Sequence, residues 1–130
     1  VEGLTPAEDA ELEKSKRQQD VRVSAVGRMT QEGVRMVAGS DSPWGNYSPG
    51  EFVHEMEMLA RAGLSNSDAL LSGTSWSADS IGVDAEAGRI AEGRSADVLV
   101  VGGDPTKSVA SLWNVLDVYQ AGERIERGVE

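Results

Sequence analysis

The sequence predicts an α/β fold. Two observations carry this reading. The first forty residues run as a helix, a glycine and a short β-prone stretch, the rhythm of an α/β unit. After Ile81, helical periodicity gives way to short strands separated by glycine turns. The length, 130 residues with 39% apolar, suits one domain or a piece of a larger one.

The first helix starts at a strong signal. Thr5 can cap it, Pro6 suits the first helical position, and Glu8 stands where a capping box needs it. A charged stretch from Glu8 to Asp20 follows. Val21, Ala25, Val26 and Met29 then fall at helical spacing and predict an apolar face. The helix should end near Gly33, either as one piece or as two broken around Asp20. Val34 to Asp41 predicts a strand that ends in small residues and one carboxylate. Ser42 to Gly50 holds Pro, Gly, Asn and Ser and reads as a loop at the strand's C-terminal end, where sites form in α/β folds.

Pro49 to Ala62 is helical again, with Phe52, Met56, Leu59 and Ala60 on one face and Gly63 closing it. Ser65 or Ser67 can cap the next helix. Its predicted buried side is Ala69, Leu70, Leu71, Trp76 and Ala78. It should run to about Ser80, weakened at Gly73. Beyond Ile81, Arg89–Ala91 is one candidate strand and Asp97–Val101 another. Val98 to Val101 is apolar at every position and predicts burial on both faces. Gly102 to Pro105 is a turn. Val109 to Trp113 reads as a short helical turn, and Val115–Gln120 with Glu123–Glu126 as a hairpin around Ala121-Gly122. The change of character divides the chain into residues 1–82 and 83–130.

Composition excludes several functions. The net charge of −10 repels phosphate backbones, so nucleic acid is not an expected partner. No basic amphipathic stretch, long apolar run or signal-peptide core suggests a membrane. The absence of cysteine excludes disulfides and thiolate metal sites and fits a cytoplasmic protein. The one histidine, His54, cannot build a histidine-rich zinc site alone.

Three blocks resemble a known family. Glu32-Gly33-Val34 through Ala38-Gly39-Ser40-Asp41 is similar to the eighth barrel strand of the amidohydrolase superfamily. Ala62-Gly63-Leu64, Ala69-Leu70, Gly73-Thr74 and Ala78 resemble the helical segment after it. Gly88-Arg89-Ile90, Gly93, Ala96-Asp97-Val98 to Val101 and Gly103-Asp104-Pro105 resemble the exit from the barrel into a small β domain. The match runs from about Gln31 onward, and the prolidase-like and imidazolonepropionase-like metal-dependent hydrolases look most similar. The resemblance implies the C-terminal fragment of a (β/α)8 barrel (residues 1–82), then strands of a small β-sandwich (83–130). It implies one or two divalent metals, zinc foremost, that activate water against an amide, peptide or cyclic amide bond. Asp41 matches the family's metal-binding aspartate and general base.

The family's other metal ligands have no match here and would lie before Val1. The chain alone is therefore expected to be inactive and to hold no metal. Trp44, Asn46 and Tyr47 are candidate substrate-binding residues, with loop packing as the alternative. His54, among Glu51, Glu55 and Glu57, reads as an exposed helix residue, and Asp97 as a structural hydrogen-bond acceptor. The expected partners are the remaining N-terminal part of the same protein or another copy of the chain, plus a small-molecule or peptide substrate for the whole enzyme. A second reading is a non-catalytic interaction domain that self-associates through exposed strand edges, giving a homo-oligomer.

Overall fold

The computed structural model describes residues 3–42 and 48–126. All its α-helices precede residue 82 and its strands follow it.

Helix α1 spans Pro6–Gln31. The capping box forms: the Glu8 amide donates to Thr5 Oγ1 at 3.4 Å and the Thr5 amide donates to Glu8 Oε2 at 2.8 Å. These bonds satisfy two backbone donors at the helix start. The Thr5 hydroxyl, which donates to Glu8 Oε2 at 2.7 Å, and then the Thr5 amide hold the Glu8 carboxyl below the usual range. No proline or glycine interrupts the helix before Gly27, so it runs unbroken through Asp20. Its first four turns are exposed on every side and lean on charge pairs such as Lys16–Glu13 at 2.8 Å.

Only the last turns of α1 meet the rest of the protein, and they meet it on a rotated face. Val21 is 68% exposed and Met29 is also exposed, contrary to the predicted face. The buried position is Gly27, flanked by half-buried Val23, Val26 and Thr30. A Cβ at Gly27 would stand 2.6 Å from the Ala62 carbonyl oxygen. Backbone approach, not side-chain hydropathy, sets the contact. Gly33, at φ +84°, then turns the chain out of the helix.

The expected strand from Val34 to Asp41 does not form a ladder. No residue between 34 and 41 is in a strand. Burial nevertheless alternates along it. Met36, Ala38 and Ser40 are half-buried, while Arg35, Val37, Gly39 and Asp41 are exposed. That two-residue period belongs to an extended chain with one face packed. A strand exists only through its neighbours, and among the described residues this segment's backbone bonds are Val34 N to Met29 O, which closes the end of α1, and Ala38 N to Ser72 O, both at 3.0 Å.

A 3-10 turn at Pro49–Glu51 leads into α2, Val53–Arg61, and Gly63, at φ +110°, turns the chain away after it. Ser65, not Ser67, caps α3, Asn66–Ser72, by accepting the Asp68 amide at 3.0 Å. The single helix expected up to Ser80 is two. Gly73 and Thr74 break it, and α4 covers Ser75–Ser80. The break also rotates the buried face. Leu71 is exposed, while Ser72 and Ser75 are buried. Ser72 tolerates burial because its hydroxyl donates to Ala69 O at 2.6 Å. The core is small: Met56, Ala69, Val109 and Leu112, with Phe52, Val53, Ala60 and Leu70 against it.

The sheet is antiparallel in the order β1-β2-β3. Its strands are β1 at Val98–Val101, β2 at Val115–Gln120 and β3 at Glu123–Arg124. Val98 pairs with Tyr119 and Leu99 with Val118, with a bulge between Val100 and Val101. The 3-10 helix Val109–Trp113 links β1 to β2 and contributes two core residues. Ala121 and Gly122, at φ +50° and +85°, make the tight hairpin turn. Two expectations fail here. Arg89–Ala91 forms no strand, and Ile90 is 87% exposed because no neighbouring strand pairs with it. Val98 to Val101 is not buried on both faces; Leu99 is 49% exposed, since β1 lies at the sheet edge.

Candidate functional site

Asp41 closes the extended segment. Its position follows from Ala38, whose amide fastens the segment to the end of α3. Asp41 is exposed and adopts φ +49°, a left-handed conformation that aspartate tolerates better than most residues. At the next residue, the Ser42 amide donates back to Ser40 Oγ at 3.4 Å. Among the described residues, Asp41 makes no hydrogen bond or ion pair. Its carboxylate therefore has its oxygens available for a ligand. Trp44, Asn46 and Tyr47, the candidate substrate contacts, lie outside the described residues.

His54 is built into a different cluster. Its Nδ1 lies 3.1 Å from Glu57 Oε2, and its ring meets Trp113 edge-on with centroids 4.7 Å apart. Trp113 Nε1 donates to Glu57 Oε1 at 3.0 Å. The three side chains tie α2 to the 3-10 helix before β2. Sequence reasoning did not single out Trp113, and nothing in its local pattern pairs it with Glu57, 56 residues earlier. Asp97 is the structural acceptor expected. Its Oδ1 takes the Ala121 amide at 2.8 Å and its Oδ2 the Ser95 hydroxyl at 2.9 Å, which hold its carboxyl below the usual range. Asp104 does the same within the turn after β1, accepting from the Thr106 hydroxyl and amide.

A groove of about 600 Å³ lies between the helices and the sheet. Phe52, Val53, Met56, Leu70, Leu99 and Val101 give it a largely apolar lining.

A divalent ion needs several hard ligands converging on one point. Among the described residues, no three of His, Cys, Asp and Glu gather in that way. The described residues alone do not offer such a ligand set. No described helix is long and apolar enough to cross a membrane.

The amidohydrolase family model matches residues 5–125. The chain belongs to the amidohydrolase family. The match begins at Thr5 and so takes in α1, well before the Gln31 boundary suggested by the motifs. Solved amidohydrolase-family structures agree. A protein assigned as a prolidase, from Bifidobacterium longum, is 32% identical over 81% of this chain with a TM-score of 0.75. A Xaa-Pro dipeptidase with methionine bound in its active site is 25% identical over 81% of the chain, TM-score 0.74. A structure described only as an amidohydrolase is 31% identical over 83%, TM-score 0.69. The chain spans about a quarter of each relative, 26%, 25% and 26% of their lengths. No protein of curated function matches the sequence. The likeness covers most of the mixed α/β architecture described above.

Proposed function

We propose that this chain is the C-terminal part of a divalent-metal-dependent amidohydrolase that cleaves an amide, peptide or cyclic amide bond. Residues 1–82 correspond in this reading to the end of a (β/α)8 barrel, and residues 83–130 to strands of a small β domain. The prolidase and Xaa-Pro dipeptidase relatives favour a substrate with a peptide-type C–N bond. One observation carries the reading: Asp41, open to solvent and unpaired among the described residues, ends an extended segment within a chain matched to the family from 5 to 125. The metal, when bound, supplies an acidified water near neutral pH. Asp41 has two tasks. In the whole enzyme it would offer carboxylate oxygens to the cation and would accept a proton from the attacking water. The other ligands come from residues outside this sequence.

Two measurements test the reading. Calorimetric titration of the 130-residue chain with zinc should show no tight one-to-one binding; a stoichiometric site would mean that the chain holds metal without outside ligands. In the longer protein that carries this segment, Asp41→Ala should lower turnover by roughly 10²-fold or more and reduce bound metal. Near-normal turnover with full metal content would remove Asp41 from the mechanism.

A further inference from the structure

We infer that helix α4 positions Asp41, with Ser77 and Asp79 clamping the extended segment that carries it. The inference rests on the proposed hydrolase function, and the two fail on different results.

The clamp begins at the break between α3 and α4. In an unbroken helix the Ser72 carbonyl would accept the Trp76 amide. Gly73 and Thr74 interrupt the helix, so this carbonyl becomes an orphan acceptor at a helix end. Ser72 is fully buried, and a buried carbonyl needs a partner. The Ala38 amide donates to it at 3.0 Å and the Ser77 hydroxyl at 2.5 Å. Both lone pairs of the oxygen are then used. The Ser77 hydroxyl reaches back across the break, so α4 holds the carbonyl where Ala38 meets it. From the other side, the Ser72 hydroxyl closes on Ala69 O at 2.6 Å.

A second attachment comes from the same helix. Arg35 Nη2 donates to Asp79 Oδ2. Both side chains are half in water, and such a pair adds little to stability alone. What it adds here is direction. Residues three apart on an extended chain point to opposite faces. Arg35 is exposed, while Ala38 packs against the core. The two attachments therefore fix both the place of the segment and its rotation about its own axis. Asp41 lies on the exposed face with Arg35. It follows Ala38 by three residues, at most roughly 11 Å of chain. A twist at Arg35 or a slip at Ala38 would carry straight to its carboxylate. Misplacing a reacting group by about 1 Å can lower a rate by about 10²-fold.

The test is kinetic, in the longer protein that carries this segment, with Asp41→Ala beside the α4 variants. Ser77→Ala should lower kcat by about tenfold with KM little changed, because a base acts in the transition state. Ser77→Thr keeps the hydroxyl and should restore most of the rate. Asp79→Ala should lower kcat by about threefold, and exchanging the charges, Arg35→Asp with Asp79→Arg, should recover it. Added to Asp41→Ala, Ser77→Ala should change nothing further, since no carboxylate remains to be positioned. Hydrogen exchange of the 130-residue chain reads the clamp without activity. The Ala38 amide should exchange faster in Ser77→Ala, with unchanged far-ultraviolet dichroism. If that variant fails to fold, Asp79→Ala and the exchanged pair decide. Normal turnover in Asp41→Ala removes the proposed function and this inference with it. Impaired turnover there, with normal kcat in Ser77→Ala and Asp79→Ala, overturns the inference alone. So does unchanged exchange at Ala38. An equal loss from Ser77→Ala with and without the Asp41 carboxylate also overturns it, since Ser77 would then be merely structural.

Discussion

Gly27 in α1 and Ala62 at the end of α2 meet backbone to backbone, with only 2.6 Å between the Ala62 carbonyl oxygen and the place where a Cβ on Gly27 would stand. This contact lets the last turns of a long, otherwise exposed helix settle on the core. The Arg61–Asp20 ion pair at 2.5 Å lies on the same helix–helix approach.

Gly27→Ala should therefore destabilise the protein. At an open helical site, alanine would gain up to about 1 kcal/mol over glycine. Here the new methyl meets backbone, which cannot swing aside, and overpacking of this kind costs about 1–3 kcal/mol. Denaturant unfolding should show a lower midpoint. A raised midpoint would mean that α1 does not pack as described.

Gly73→Ala should cost less than Gly27→Ala. Its Cβ would stand 2.8 Å from Met56 Sδ and 3.1 Å from Phe52 Cε1, both in side chains, and methionine yields easily. The backbone at Gly73, φ −95°, suits any residue. A loss below about 1 kcal/mol is expected in the same unfolding assay. An effect exceeding that of Gly27→Ala would show that Met56 is locked in the core.

Thr5→Ala removes the cap of α1, a change worth about 1 kcal/mol to a helix end. The first three turns are exposed on every side and meet no other element among the described residues, so that loss should stay local. Amides of the first turn should exchange faster and helicity should fall slightly, while the unfolding midpoint of the core holds. A large shift of that midpoint would tie the start of α1 to the core.

Asp97 should make the hairpin acid-sensitive. The Ala121 amide, and then the Ser95 hydroxyl, hold its carboxyl below the ordinary range in the folded state. The folded carboxyl thus binds its proton less readily than the unfolded one. Its contribution to stability is complete above the ordinary carboxylate value of about 4 and disappears as pH falls through the lower folded value. An NMR titration should show the Ala121 amide moving with a midpoint below that ordinary value. A midpoint at or above it would remove the bond, and Asp97→Asn should abolish the titration.

Much of the fold was legible wherever a structure depends on a few adjacent residues. Thr5, Pro6 and Glu8 marked the start of α1. Ala121-Gly122 marked the hairpin, whose two left-handed residues need no distant partner. Gly73 was marked as a weak point, and the helix does break there. Asp41 was singled out only through its flanking motif, because a lone Asp before Ser-Pro is an ordinary turn residue. Trp113 was not legible as the partner of His54 and Glu57. Its role depends on how α2 meets the 3-10 helix before β2.

Caps, turns and the order of helices before strands were determined by the sequence itself, since their hydrogen bonds close within a few residues. Tertiary structure alone decided that Gly27 is buried while Val21 and Met29 are not, and that Ser72 goes inside while Leu71 stays out. It also decided that Val34 to Asp41 stays extended without a ladder. The physical reason is common to all three. Burial and strand pairing belong to two surfaces at once, and one segment's hydropathy describes only its own.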